Sequence, residues 1–204
     1  MLWTTDASHT SINFVARHMM LAKTRGEFQN FSVDFNLDPE QPEAASVEAR
    51  IQTASIFTKD EKRDAHLRSA DFFNADVYPE MVFKSTKVER TGDKTAKLYG
   101  DLTIREVTKP VVLDVTYLGM SKSPWGTTSA GFEAKTKIDR EEWGLTWNVA
   151  LETGGWLVGK EISIEIEAEF VQQPESVQEP SASGALRSGA TSKAQADKVL
   201  AGVN

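Results

Sequence analysis

The chain has 204 residues, of which 40% are hydrophobic, 9% aromatic and 26% charged, with a formal net charge of −7 and no cysteine. This composition suits one globular domain plus a tail, and it excludes fibrous repeats, disulfide scaffolds, thiolate nucleophiles and cysteine-ligated metals. The acidic balance argues against nucleic acid as a partner, because phosphate contacts need clustered Lys and Arg, and no apolar run approaches the ~18 residues of a membrane-spanning segment.

Trp3 opens the first expected strand, and the residues before it carry no basic or apolar leader pattern, so a cytoplasmic protein is expected. Ile12, Phe14 and Ala16 alternate with Asn13, with Val15 out of pattern. Phe31, Val33, Phe35 and Leu37 then alternate with polar residues up to the Asp38-Pro39 break, and Val47, Ala49 and Ile51 repeat the pattern. A period of two marks a strand with one buried face. The segment Thr58–Glu61 fits a capping box, which predicts a short polar helix over Lys59–Arg68 with Ala65 and Leu67 as its buried contacts. Strand patterns return at Glu80–Val88, Ala96–Arg105, Val111–Leu118 and Thr127–Ile138, separated by breaks at Thr91-Gly92-Asp93, Gly119 and Ser123-Pro124. After a turn at Arg140–Trp143, the clearest strand runs from Lys160 to Val171, with Ile162, Ile164, Ile166, Ala168 and Phe170 opposite a wall of glutamates.

From residue 172 the composition shifts to Pro, Ser, Gly, Ala and Gln, with too little apolar bulk to offset the entropy of ordering. The chain therefore divides into a body over residues 1–171 and a flexible tail over residues 172–204, in which Ser192–Ala201 has the pattern of a short helix. About eight antiparallel strands in the body form either a sandwich or a closed barrel. A barrel of that size is either filled by its side chains or left with room for one small ligand.

Four stretches taken together resemble the YceI-like family of lipid- and polyisoprenoid-binding proteins. They are Trp3–Phe14 with Arg17-His18-Met19 and Gly26–Phe31; Ala54–Thr58 with His66–Phe73 and Tyr78–Phe83; Gly100–Arg105 with Thr108-Lys109-Pro110; and Ile138–Gly144. The resemblance covers about residues 2–171. It implies an all-β, lipocalin-like antiparallel barrel with one short helix, binding an isoprenoid or other amphiphile in an elongated apolar cavity. The chain departs from the family pattern at Arg105-Glu106, where a glycine is more usual, and in its long tail.

The apolar inward set is the expected cavity: Phe14, Phe28, Phe35, Ile51, Phe83, Leu102, Val112, Phe132, Ile164 and Ile166. Each of these serves equally well as plain core, since alternation identifies a buried face without naming what it packs on. Arg17, His18, Lys23 and Arg25 surround the apolar Met19-Met20-Leu21 loop, which suits the mouth of a site for an anionic head group; the alternative is a hairpin with solvated charges. Asp139-Arg140-Glu141 reads as a turn salt-bridge cluster, and His9 as a hydrogen-bonded residue near a strand start.

No nucleophile elbow, phosphate loop or dinucleotide fingerprint occurs. No catalytic residue, cofactor or metal site is expected, since none of His9, His18 and His66 has ligand spacing. The expected activity is therefore non-catalytic binding, transport or storage of an amphiphilic lipid: an isoprenoid, a fatty acid or a quinone-like chain. The rivals are a protein-interaction or stress-response module with a filled barrel, and an enzyme on a lipid or quinone-like substrate using His18 or His66. An exposed sheet edge would allow a homodimer.

Overall fold

In the computed structural model of the chain, the structure describes residues 2–173. All but the start of the expected tail, including the helix pattern at Ser192–Ala201, lies outside the described residues. Eleven strand segments make a single antiparallel sheet. These are β1 (Leu2–Thr5), β2 (Ser11–His18), β3 (Ala22–Phe28), β4 (Phe31–Asn36), β5 (Ser46–Gln52), β6 (Ile56–Phe57), β7 (Glu80–Arg90), β8 (Thr95–Ile104), β9 (Val107–Lys122), β10 (Thr128–Asp139) and β11 (Val158–Gln172).

The segments form a closed barrel of eight strands because two of its staves are broken. β1 and β2 lie end to end along β11, whose fifteen residues pair with β2 through Glu167 and with β1 from Phe170. β3 and β4 form the neighbouring broken stave, and β1 also pairs with β4 through Trp3 and Phe35, which closes the ring. Closure covers the edges of β1 and β4, whereas β3 is paired on its outer side, among the described residues, only at Glu27 and Phe28. β6 is a two-residue extension that pairs with Phe28 and Glu27 of β3.

Helix α1 (Glu61–Arg68) begins later than the capping box implied. Asp60 is its N-cap and accepts from the amides of Lys62 and Arg63. Thr58 is drawn inward instead: its amide and hydroxyl both donate to the buried Asp64 carboxylate, and Arg63 donates to its hydroxyl and carbonyl oxygens. Ala65 is exposed, so the contacts of this short helix come from Asp64 and from Leu67, which packs against the core.

The apolar residues form two clusters. The larger, around Phe28, Ile51, Phe83, Leu102 and Trp143, lies toward the helix; the smaller, Trp3, Phe35, Leu37, Ala130 and Phe170, lies near the β1–β4–β11 seam. Trp3 pins that seam by donating its indole N–H to the Leu37 carbonyl at 3.1 Å.

Candidate functional site

The barrel interior is not solid. It encloses a cavity of about 560 Å³ walled almost wholly by apolar side chains. Phe14, Phe28, Phe35, Ile51, Phe83, Leu102, Phe132, Ile164 and Ile166 all line it. Ile12, Phe14, Ala49, Ala134, Ile164 and Ile166 face the barrel axis yet remain only half-buried, whereas a filled interior would bury them. On β9 the lining runs from Val111 to Met120. That is about 30 Å of strand, or about 23 Å along the axis for a tilt of ~40°.

Val112 is a correction. It is 38% exposed and pairs with Tyr99 on the outer face, while Val111 and Leu113 point inward. In the run Pro110–Leu113 three consecutive apolar residues blur the alternation, and a one-residue slip exchanges the two faces.

The two ends of the cavity differ. At one end its lining reaches the solvent-exposed residues Pro39, Arg90, Gly92, Asp93, Lys94 and Met120, on the β4–β5 loop, the β7–β8 turn and late β9. A register shift between Ser85 and Lys87 of β7 accompanies the inward placement of Val88 and Arg90. Of these mouth residues the sequence marks Pro39, Gly92 and Asp93 as chain breaks and leaves Arg90, Lys94 and Met120 unassigned, because alternation does not show where a bulge changes face.

At the other end the lining residues Phe72, Arg140 and Leu145 are buried. This floor is built by the Asp139–Leu145 segment. Asp139 accepts from the Glu141 amide and caps a short 3-10 turn over Arg140–Trp143. Gly144 ends the turn at φ 76°, a left-handed position that glycine takes without strain. Trp143 does not line the cavity but is buried and anchors the turn to β8, donating its indole N–H to the Leu102 carbonyl at 3.0 Å.

Arg140 is not a salt-bridge residue. It is only 4% exposed and its nearest anchors are carbonyls: Nε donates to Gly159 at 3.1 Å, and a terminal nitrogen donates to Leu145. Its other terminal nitrogen has no partner among the described residues. Burial pushes the guanidinium below its usual range, against the opposing pull of Glu141 and Asp139. Glu141 pairs instead with Lys160 at 2.7 Å. His66 also belongs to the floor region, with Nε2 2.8 Å from Asp71 and its ring edge-on to Phe72 and Trp147.

The four residues expected at the mouth sit elsewhere. Arg17, His18, Lys23 and Arg25 are gathered on the β2–β3 hairpin, at the floor end, and none lines the cavity. Arg17, Lys23 and Arg25 share the register face of Val15, opposite to that of the inward Phe14 and Ala16. The four residues are close in sequence and so share the hairpin, but the sequence does not show which end of the barrel opens.

One grouping escaped the spacing argument. At the β1–β2 break Asp6, His9 and Glu169 bring their ligand-type atoms within 4.8 Å of one another. Their geometry is that of a corner pin: Asp6 accepts from the Ser8 hydroxyl at 2.6 Å and the Ser8 amide at 2.9 Å, and His9 Nδ1 is 3.0 Å from its other oxygen. The Ser8 and His9 hydrogen bonds hold the Asp6 carboxyl far below the usual range, and the bond to Asp6 raises His9.

An eight-stranded antiparallel barrel with one helix and an apolar lumen defines a lipocalin-like binding fold. The sequence profile of the YceI-like domain matches residues 3–170, and the chain belongs to this family. A UPF0312 protein from Staphylococcus aureus strain USA300 is 37% identical over 169 residues, covering 82% of this chain and 96% of that protein. The YceI protein of Campylobacter jejuni has the same fold, with a TM-score of 0.68 and 30% identity over 78% of this chain and 90% of its own. A polyisoprenoid binding domain from Saccharophagus degradans shares the fold at a TM-score of 0.57 and 12% identity, covering 82% of this chain and 97% of that domain.

Proposed function

We infer that the protein is a non-catalytic carrier or store for a long-chain amphiphile, an isoprenoid or a fatty or quinone-like chain. The observation that carries this reading is the unfilled lumen: about 560 Å³, apolar along its walls and closed at one end, within the ~300–1,000 Å³ of typical ligand pockets. An elongated apolar slot favours a chain over a compact ligand, because burial then removes hydrocarbon from water along the whole length. The polar head is placed at the open end, where Arg90 and Lys94 offer cations beside the apolar wall. The structural relative described as polyisoprenoid binding supports the same class of ligand.

The test is a titration of delipidated protein with a polyprenol, a long fatty acid and a short-chain control, followed by gel filtration. The carrier reading predicts stoichiometric retention of at least one long chain and none of the short one. Retention of neither long chain would overturn it.

A further inference from the structure

The β2–β3 hairpin stands at the floor end of the barrel, and the carrier reading gives it no task. Its tip is Met19-Met20-Leu21, with Met20 68% and Leu21 82% exposed. The 149–157 segment runs beside it: the Met19 amide donates to the Leu157 carbonyl at 2.8 Å, and His18 pairs with Val158. That segment adds two more exposed apolar side chains, Val149 and Trp156. Two adjoining turns thus share one apolar cap, on a chain whose net charge is −7.

Cations flank this cap. Arg17 and Lys23 are direct cross-strand partners, and Arg25 follows on the same face opposite Val15. Like charges placed opposite one another on a sheet repel. Among the described residues, no carboxylate lies within ion-pair distance of any of the three. The turn itself is strained: Met19 and Met20 have φ of 51° and 59° as the central pair of the His18–Leu21 turn, closed by the Leu21 amide donating to the His18 carbonyl at 3.0 Å, and central positions with positive φ favour Asn-Gly. The hairpin therefore holds bulky apolar side chains in left-handed positions and three cations in mutual repulsion. Neither feature stabilises the isolated fold, and an apolar surface carrying negative charge would compensate both.

We propose that this end of the barrel docks on a lipid bilayer bearing anionic head groups. Met20, Leu21 and Trp156 enter the interfacial layer, where an indole is favoured, and Arg17, Lys23 and Arg25 meet head-group phosphates. A protein partner would be expected to offer anchors to a pocket, whereas this cap stands out as exposed side chains beside cations, and neither the lumen nor the outer-face pocket around Tyr99 and Trp143 includes Met20, Leu21 or Trp156. Docking at the floor end leaves the cavity's opening directed away from the bilayer, and it does not depend on what the cavity holds.

Co-sedimentation with vesicles tests the proposal, using phosphatidylcholine alone and equal parts of phosphatidylcholine and phosphatidylglycerol. The full chain is expected to sediment with the mixed vesicles and to be released by salt. Arg17→Gln, Lys23→Gln and Arg25→Gln should each weaken the partition about fivefold, the equivalent of the ~1 kcal/mol a basic side chain gains near an anionic surface. The double variant Met20→Ser, Leu21→Ser should weaken it further while retaining the same long chains as wild type in the gel-filtration titration, so that docking and carriage are read separately. A wild-type chain that ignores the mixed vesicles, variants that sediment like wild type, or self-association through the tip in place of vesicle binding would each overturn the proposal.

Discussion

A Cβ on Gly100 would stand 2.4 Å from Phe83 Cζ and 2.6 Å from the Lys84 carbonyl oxygen; on Gly26 it would stand 2.3 Å from Phe14 Cζ and 2.8 Å from Thr58 Cγ2. The two sites differ in what must yield. At Gly100 part of the obstacle is backbone, so Gly100→Ala is expected to cost about 2–3 kcal/mol in urea denaturation, the upper range for overpacking. At Gly26 the nearest obstacle is the end of a Phe ring beside an unfilled lumen, so Gly26→Ala should cost about 1 kcal/mol and reduce the cavity instead. Equal losses would contradict this difference. The Asp6–His9 pin yields a pH prediction at the same scale. Asp6 raises the His9 pKa above 6.5, so the pin's contribution is complete below that value and lost as pH rises through the folded value. Asp6 is lowered from 3.8, so its part is present above that value and lost as pH falls through the folded one. An NMR titration should place the His9 midpoint above 6.5, and Asp6→Asn should bring it down; a midpoint indifferent to that change would contradict the pin. Single inward positions such as Phe35 and Ile164 were legible in the sequence because their neighbours are polar. Val112 was not, because its neighbours are also apolar and only the pairing register settles its face.

At the scale of elements, the β2–β3 turn sets stability against exposure. Left-handed φ at a non-glycine residue costs about 1 kcal/mol or more. Replacing Met19-Met20 with Asn-Gly should therefore raise stability by about 1–2 kcal/mol, measured as a higher urea midpoint at unchanged slope. An unchanged or lowered midpoint would show that the methionines are not strained there. The strands from β7 to β11 alternate between their register shifts at Ser85/Lys87, Gly131/Phe132 and Val158/Ile162, and it is at such shifts and in the apolar run of β9 that the face is not legible in the sequence. The helix was legible in kind but not in its cap, because Thr58 and Asp60 are both competent caps and the choice was made by Asp64, whose buried carboxylate claims Thr58. The Arg140–Trp143 turn was legible as a turn. Its inward fold was not, since local sequence cannot show that two carbonyls 5 and 19 residues away would receive the guanidinium.

For the whole molecule, ring closure and lumen are properties of register and bulges. About eight staves could be counted from periodicity. That two of them are broken, at the Asp6–Thr10 and Gln29-Asn30 segments, follows from β11 and β1 meeting both partners. Whether the interior is filled depends on volume, which periodicity does not report. Ala134 faces Val115 and Ile166 across the wall and lines the cavity. Ala134→Phe should therefore occupy lumen at little cost to the fold, leaving circular dichroism unchanged while abolishing retention of a long chain; retention at wild-type level would place the guest elsewhere.

Organic extraction of the purified full chain, with mass spectrometry of the extract beside that from Ala134→Phe, tests the carrier claim most directly. The account predicts a stoichiometric long-chain amphiphile from wild type and its loss from the variant. An extract free of such a chain, from protein that also takes none up when offered it, would contradict the account.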